Sequence, residues 1–192
     1  MMRITTNPKL NPGLRIARED DGRDRVNFLG VLAHSPAAAR AYVTAESALG
    51  EGQLSRRQRE QTALAMAEIS GSNYCLVAHT ARARDAGLTE EEITLARQAT
   101  ANDPKEKALL RFVQEVVLQR GWSSDAGFTA IQQAGFSDAE IVEIIANIAL
   151  NLFANYLNVT VKTELDFPLL HPESAGIDAD EGSPWSKPLT AT

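Results

Sequence analysis

From Arg23 onward, apolar residues recur every three or four positions almost without interruption, and alternation at every second position is nearly absent. That spacing lays an apolar stripe along a helix, so the pattern predicts an all-α, multi-helix domain. The polar positions between the stripes mark where helices begin. Ser35-Pro36 sets a capping serine before a proline suited to the first helical position, and Gly50 follows the last turn. LSRRQ, LTEEE and FSDAE each open a helix in the same manner. Ser55, Thr89 and Ser137 are the N-caps, and Gln58, Glu92 and Glu140 stand three residues later, as capping boxes require. Asp103-Pro104 starts another helix, expected to run to about Arg120 and stop at Gly121, while Gly87 and Gly135 fall where others should end.

Outside these stripes the composition changes. Residues 1–22 are rich in Pro, Asn, Gly and charge and predict an irregular N-terminal arm, leaving 23–168 as a single all-α domain. After Asp166-Phe167-Pro168 the chain turns to Pro, Ser, Gly and Asp, so 169–192 form an extended C-terminal tail unable to build its own core. Trp185 and the pair Leu169-Leu170 are its candidate anchors. Two phrases are near-duplicates, AGLTEEEI at 86–93 and AGFSDAEI at 134–141, and SNYC at 72–75 is echoed by ANYL at 154–157. These echoes suggest two related helical units, the second with Leu157 and Val161 where the first has Cys75 and His79. Chance likeness between helix starts accounts for the octapeptide about as well.

Charge narrows the functional classes. A net charge of -6 over 192 residues, with no basic patch, argues against binding nucleic acid. The densest basic cluster, Arg56, Arg57 and Arg59, is flanked by Glu51 and Glu60 and suggests a solvated helix face. The start of the chain lacks a signal-like apolar stretch, and no apolar run reaches the ~18 residues of a membrane span. The longest, around 141–152, is interrupted by Glu143, Asn147 and Asn151. One cysteine cannot close a disulfide within the chain, so the fold does not depend on an oxidising compartment. A cytoplasmic protein without membrane contact is expected.

That cysteine lies in GSNYCLVAHTARARDAG, residues 71–87, and His79 follows Cys75 by four positions, so on a helix the two share a face. Ser70-Gly71 should break the preceding helix, which makes Ser72 the cap of the next and puts Cys75 in its first turn. Unpaired backbone N–H groups and the positive end of the helix dipole favour a thiolate there, and His79 can take its proton. Glu60, on the preceding helix, is the candidate carboxylate to orient that imidazole. The plain alternative is a buried cysteine acting as a small apolar residue. Ser72 is a cap first and a substrate contact or vestigial redox position second. Tyr74 suggests packing, and His34 and His171 suggest structural roles. One thiol, one imidazole and one carboxylate at these spacings form no zinc signature, and no motif implies an organic cofactor.

Together, Glu60, Ser72, Cys75 and His79 resemble the active-site pattern of alkylhydroperoxidase D and of the wider carboxymuconolactone decarboxylase superfamily: a glutamate, a Cys-x-x-Cys pair and a histidine in a helical core. HTARARDAGLTEEEI is similar to the family's histidine-bearing helix and its continuation. The likeness covers about residues 50–100, and a looser one to the peroxidase-related subgroup extends from 34 to about 168. It implies that Glu60 and His79 form a proton relay and that Cys75 is the second cysteine of the pair, with Ser72 in place of the first. The implied activity is a thiol-dependent, peroxiredoxin-type reduction of hydroperoxides. Cys75 would pass through a sulfenic acid and be recycled by an external thiol, since a disulfide within the pair is impossible. The resemblance also implies a homo-oligomer, for which the apolar helix 141–157, with Phe153, Tyr156 and Leu157, is a plausible contact surface. Two rivals remain: a cofactor-independent lyase acting on a lactone or carboxylic acid through Glu60 and His79, and a non-catalytic oligomeric ligand-binding protein.

Overall fold

The structure, a computed structural model, describes residues 1–6 and 26–165, which contain eight α-helices and no strand. In chain order these are α1 (Val26–Leu32), α2 (Pro36–Gly50), α3 (Arg56–Ile69), α4 (Asn73–Asp85), α5 (Glu90–Arg97), α6 (Pro104–Leu118), α7 (Asp125–Gln133) and α8 (Asp138–Val161). The capping boxes at Ser55, Thr89 and Ser137 are fully formed, each with both reciprocal bonds. Ser35, Asp103 and Ser124 accept from the N–H three residues on, and Pro36 and Pro104 open their helices. Gly87 and Gly135 end helices with left-handed φ of 84° and 87°, a conformation that costs glycine little.

The hub of the domain is α3, which packs against α4, α5, α6 and α8. Eight consecutive residues of α3, from Glu60 to Ala67, are buried, so it is enclosed on every side. Ala63, Ala65 and Ala67 along it are fully or almost fully buried and leave room for the neighbouring helices to approach. The longest helix, α8, runs 24 residues without a break and packs against α2, α3, α4 and α6. Glu143, Asn147 and Asn151 break its apolar run but not the helix. The Asn147 and Asn151 amides donate to the carbonyls of Glu143 and Asn147 at 2.8 and 2.9 Å, and the Glu143 carboxylate accepts from the N–H groups of Gln53 and Leu54 at 2.7 and 3.2 Å. Satisfied in this way, the polar groups sit in an apolar helix at little cost. By length and composition alone α8 could cross a membrane; its packing makes it a core helix of the domain.

The arginine cluster is not a simple solvated face. Arg57 pairs with Glu92 and, at 2.6 Å, with Glu106, tying α3 to α5 and α6, while Gln61 donates to the same Glu106 carboxylate at 2.7 Å. Arg59 donates to the Leu54 carbonyl at 2.6 Å. The carboxylates of Glu106 and Glu92 hold the Arg57 guanidinium well above its ordinary pKa, and Glu92 is held below its own by Arg57 and then by the Thr89 N–H.

Residues 1–6 lack regular structure but are fastened. The Arg3 N–H donates to the Val161 carbonyl at 2.7 Å, and His34 Nε2 donates to the Thr5 carbonyl at 2.7 Å, a structural role for that histidine. The rest of the predicted arm, the tail at 169–192, His171, Trp185 and the Leu169-Leu170 pair lie outside the described residues.

Candidate active site

The site is built by the turn between α3 and α4. Gly71 takes a left-handed φ of 62°, and the Ser72 N–H reaches back to the Ala67 carbonyl at 2.9 Å, so the chain reverses and α4 lies along α3. Glu60 and His79, nineteen residues apart, are thereby brought together: His79 Nδ1 lies 2.7 Å from Glu60 Oε2, with both side chains mostly shielded from solvent. With a carboxylate as its acceptor, Nδ1 carries the proton, and Nε2 is the nitrogen left to accept one.

Cys75 is the third residue of α4 and only 4 % exposed. Its sulfur is not sealed in hydrocarbon. Asn158 of α8, also buried, donates from Nδ2 to Cys75 Sγ at 3.2 Å. Ser72 stands at the N-cap position yet makes no side-chain cap bond, which corrects the expectation of an ordinary cap. Its Oγ is buried without a hydrogen-bond partner, and so is Asn158 Oδ1. Tyr74, beside Cys75 in sequence, serves as packing: its ring lies 6.4 Å from that of Phe28, and its hydroxyl accepts the Phe28 N–H at 3.3 Å. Among the described residues, no three His, Cys, Asp or Glu side chains are grouped so as to hold a metal ion.

Asn158 is the residue that sequence reasoning missed. A signal was present: asparagines at 147, 151, 155 and 158 follow one another at helical spacing within an otherwise apolar helix. Two of them serve the helix itself, while Asn155 Nδ2 reaches Ser70 Oγ at 3.4 Å, and Asn158 reaches the thiol. The SNYC echo does not extend to the fold. SNYC spans a helix start, whereas ANYL lies inside the unbroken α8.

Residues 36–115 match the model of the carboxymuconolactone decarboxylase family. Over that stretch the chain is similar to the superfamily. No curated protein matches its sequence. Solved structures do. One is a protein of unknown function from Agrobacterium tumefaciens, a candidate antioxidant defence protein AhpD, at 26% identity and a TM-score of 0.66, the match covering 76% of this chain and 100% of that one. An uncharacterized peroxidase-related protein from Ralstonia eutropha, an alkylhydroperoxidase AhpD core, is 26% identical with a TM-score of 0.67, covering 73% and 76%. A cysteine-to-alanine variant of the debrominase Bmp8 bound to 2,3,4-tribromopyrrole shares the fold at a TM-score of 0.73 and 18% identity, covering 90% and 94%. The first two liken the chain to AhpD-type and peroxidase-related proteins, and the third shows the shared fold alone.

Proposed function

We propose that this protein is a thiol-dependent peroxidase whose nucleophile is Cys75. The observation that carries the reading is a sulfur in the first turn of α4, held by an amide N–H and followed one turn later by a carboxylate-paired imidazole. The thiol gives its proton to His79 Nε2 while Glu60 stabilises the imidazolium. The thiolate attacks one peroxide oxygen, the O–O bond breaks, and the departing alkoxide takes the proton from His79. Sulfur is oxidised to the sulfenic acid and the hydroperoxide reduced to an alcohol. Two equivalents of an external thiol return Cys75 to the thiol, releasing water and a small disulfide, because Ser72 offers no resolving sulfur. Dependence on an external reductant suits a reducing compartment such as the cytoplasm. The test is consumption of hydrogen peroxide and an alkyl hydroperoxide with a small dithiol as donor. Turnover by the native chain and none by Cys75→Ser is expected; equal rates in the two overturn the proposal. Lactone turnover that survives Cys75→Ser but not His79→Gln would establish the lyase reading instead.

The proposal includes self-association. Val142, Ile145, Phe153, Tyr156 and Val159 are 66%, 45%, 41%, 60% and 45% exposed and lie along one side of α8. Leu157, expected beside them, packs instead against the core. So continuous an apolar stripe fits pairing with a second copy about a twofold axis, where each α8 covers the other. Val142→Glu with Tyr156→Glu should then lower the mass measured by light scattering; a monomeric native chain would refute this.

A further inference from the structure

Three features beside Cys75 invite a role beyond the proton relay: the Asn158 N–H on the sulfur, the Asn158 Oδ1 and the Ser72 Oγ. All belong to side chains more than nine-tenths buried, and the two oxygens have no hydrogen-bond partner. A buried polar atom without a partner costs free energy until something supplies one, so natural interiors keep few of them. Here two such atoms belong to residues close to Cys75, one of them Asn158, whose Nδ2 holds the sulfur. Ser72 comes from the start of the same helix, three residues before Cys75, and Asn158 comes from α8, eighty-three residues away.

Resting on the peroxidase reading, we infer that Asn158 is the positioning residue of the site and that it forms, with Ser72, a cradle for one oxygen atom bonded to Cys75 sulfur. Before reaction the Nδ2 donor fixes the sulfur and stabilises it as a thiolate. After reaction the S–OH hydrogen is donated to Asn158 Oδ1, and the Ser72 hydroxyl donates to the new oxygen. Both unpartnered atoms are then satisfied by the same event. The sulfenic acid, held by its oxygen, presents less thiolate-like sulfur to a second peroxide and awaits the external thiol. A chain without a resolving cysteine needs such a holding state, since nothing inside it removes the sulfenic acid.

The experiment uses the full chain and hydrogen peroxide as the probe, with intact-mass spectrometry counting oxygens gained and iodoacetamide alkylation reporting the thiolate. Asn158→Leu keeps much of the volume without the amide, and Asn158→Asp replaces the donor with a charge that repels the thiolate. The midpoint of Cys75 alkylation should rise by about one pH unit in the first and more in the second. The native chain should accumulate the one-oxygen species, while Asn158→Leu and Ser72→Ala reach the two- and three-oxygen species at about tenfold lower peroxide. Unmoved midpoints together with an unmoved peroxide dose overturn the inference. Should Asn158 variants fail to fold, Ser72→Ala alone decides it, by the dose. Cys75-dependent peroxide turnover that ignores both positions would leave the peroxidase reading standing and this inference refuted. If the native chain gains no oxygen yet the midpoint shifts, the peroxidase reading and the cradle fall and only the sulfur-holding role of Asn158 remains.

Discussion

Residues 54–79 and 136–161 start alike and end in different chemistry. Leu54-Ser55 and Phe136-Ser137 each open a helix with a complete capping box, and the asparagine-tyrosine pairs Asn73-Tyr74 and Asn155-Tyr156 lie at matching distances beyond. In the first stretch Ser70-Gly71 ends the helix and a second begins at Asn73; in the second, Leu152-Phe153 occupies the corresponding place and the helix continues. The break sets Cys75 in the first turn, at the positive end of a helix dipole, and it folds Glu60 back onto His79. Leu157, Val142 and Val161 hold the corresponding positions in α8, where no helix start exists to exploit. The unbroken stretch is nevertheless no bystander, since it delivers Asn158 to the thiol of the broken one. The surroundings of Cys75 follow from where a helix begins as much as from which residues it carries.

The largest effect should come from undoing what the break brings together. Glu60→Gln leaves His79 without its charged partner, and the rate of Cys75 with peroxide at neutral pH should drop by about 10²-fold, the scale of a lost acid–base contribution. Stopped-flow decay of hydrogen peroxide measures it, and an unchanged rate would detach Glu60 from the relay. Gly71→Ala acts on the turn itself. An added Cβ meets nothing within 4 Å, so the cost is the left-handed backbone alone, about 1 kcal/mol. Urea unfolding should report that loss, and a larger one would mean that the turn carries contacts beyond its backbone.

Smaller differences sharpen the likeness of the two starts. Ser55→Ala and Ser137→Ala should each cost about 1 kcal/mol by urea unfolding, because each removes one side of a reciprocal cap. Acid should separate them. The α3 box uses neutral Gln58, whereas the α8 box uses Glu140, held below the ordinary carboxylate pKa chiefly by the Ser137 N–H. A carboxylate depressed in the folded state contributes in full above its unfolded value of ~4.3, and that contribution is lost as pH falls through the folded value. Glu140→Gln should therefore flatten the fall in melting temperature below about pH 4.5 relative to the native chain, while Gln58→Ala leaves its slope unchanged. Parallel curves for Glu140→Gln and the native chain would count against the cap as a source of acid sensitivity.

The helix boundaries were legible in the sequence because caps act within four residues: serine, proline and glycine signals at 35–36, 55, 71, 87 and 137 carry their partners beside them. The shared face of Cys75 and His79 needed only the helical repeat, and the Glu60 partnership needed one short hairpin. The three-dimensional fold alone decided the rest. Arg57 looked solvated until α5 and α6 presented Glu92 and Glu106, and the asparagines of α8 looked like interruptions until their carbonyl, serine and thiol partners came into reach. Ser72 kept its capping position but not its capping bond. Contacts of this kind depend on how α8 settles against the α3–α4 hairpin, a matter of packing between distant segments whose partners local sequence signals do not name.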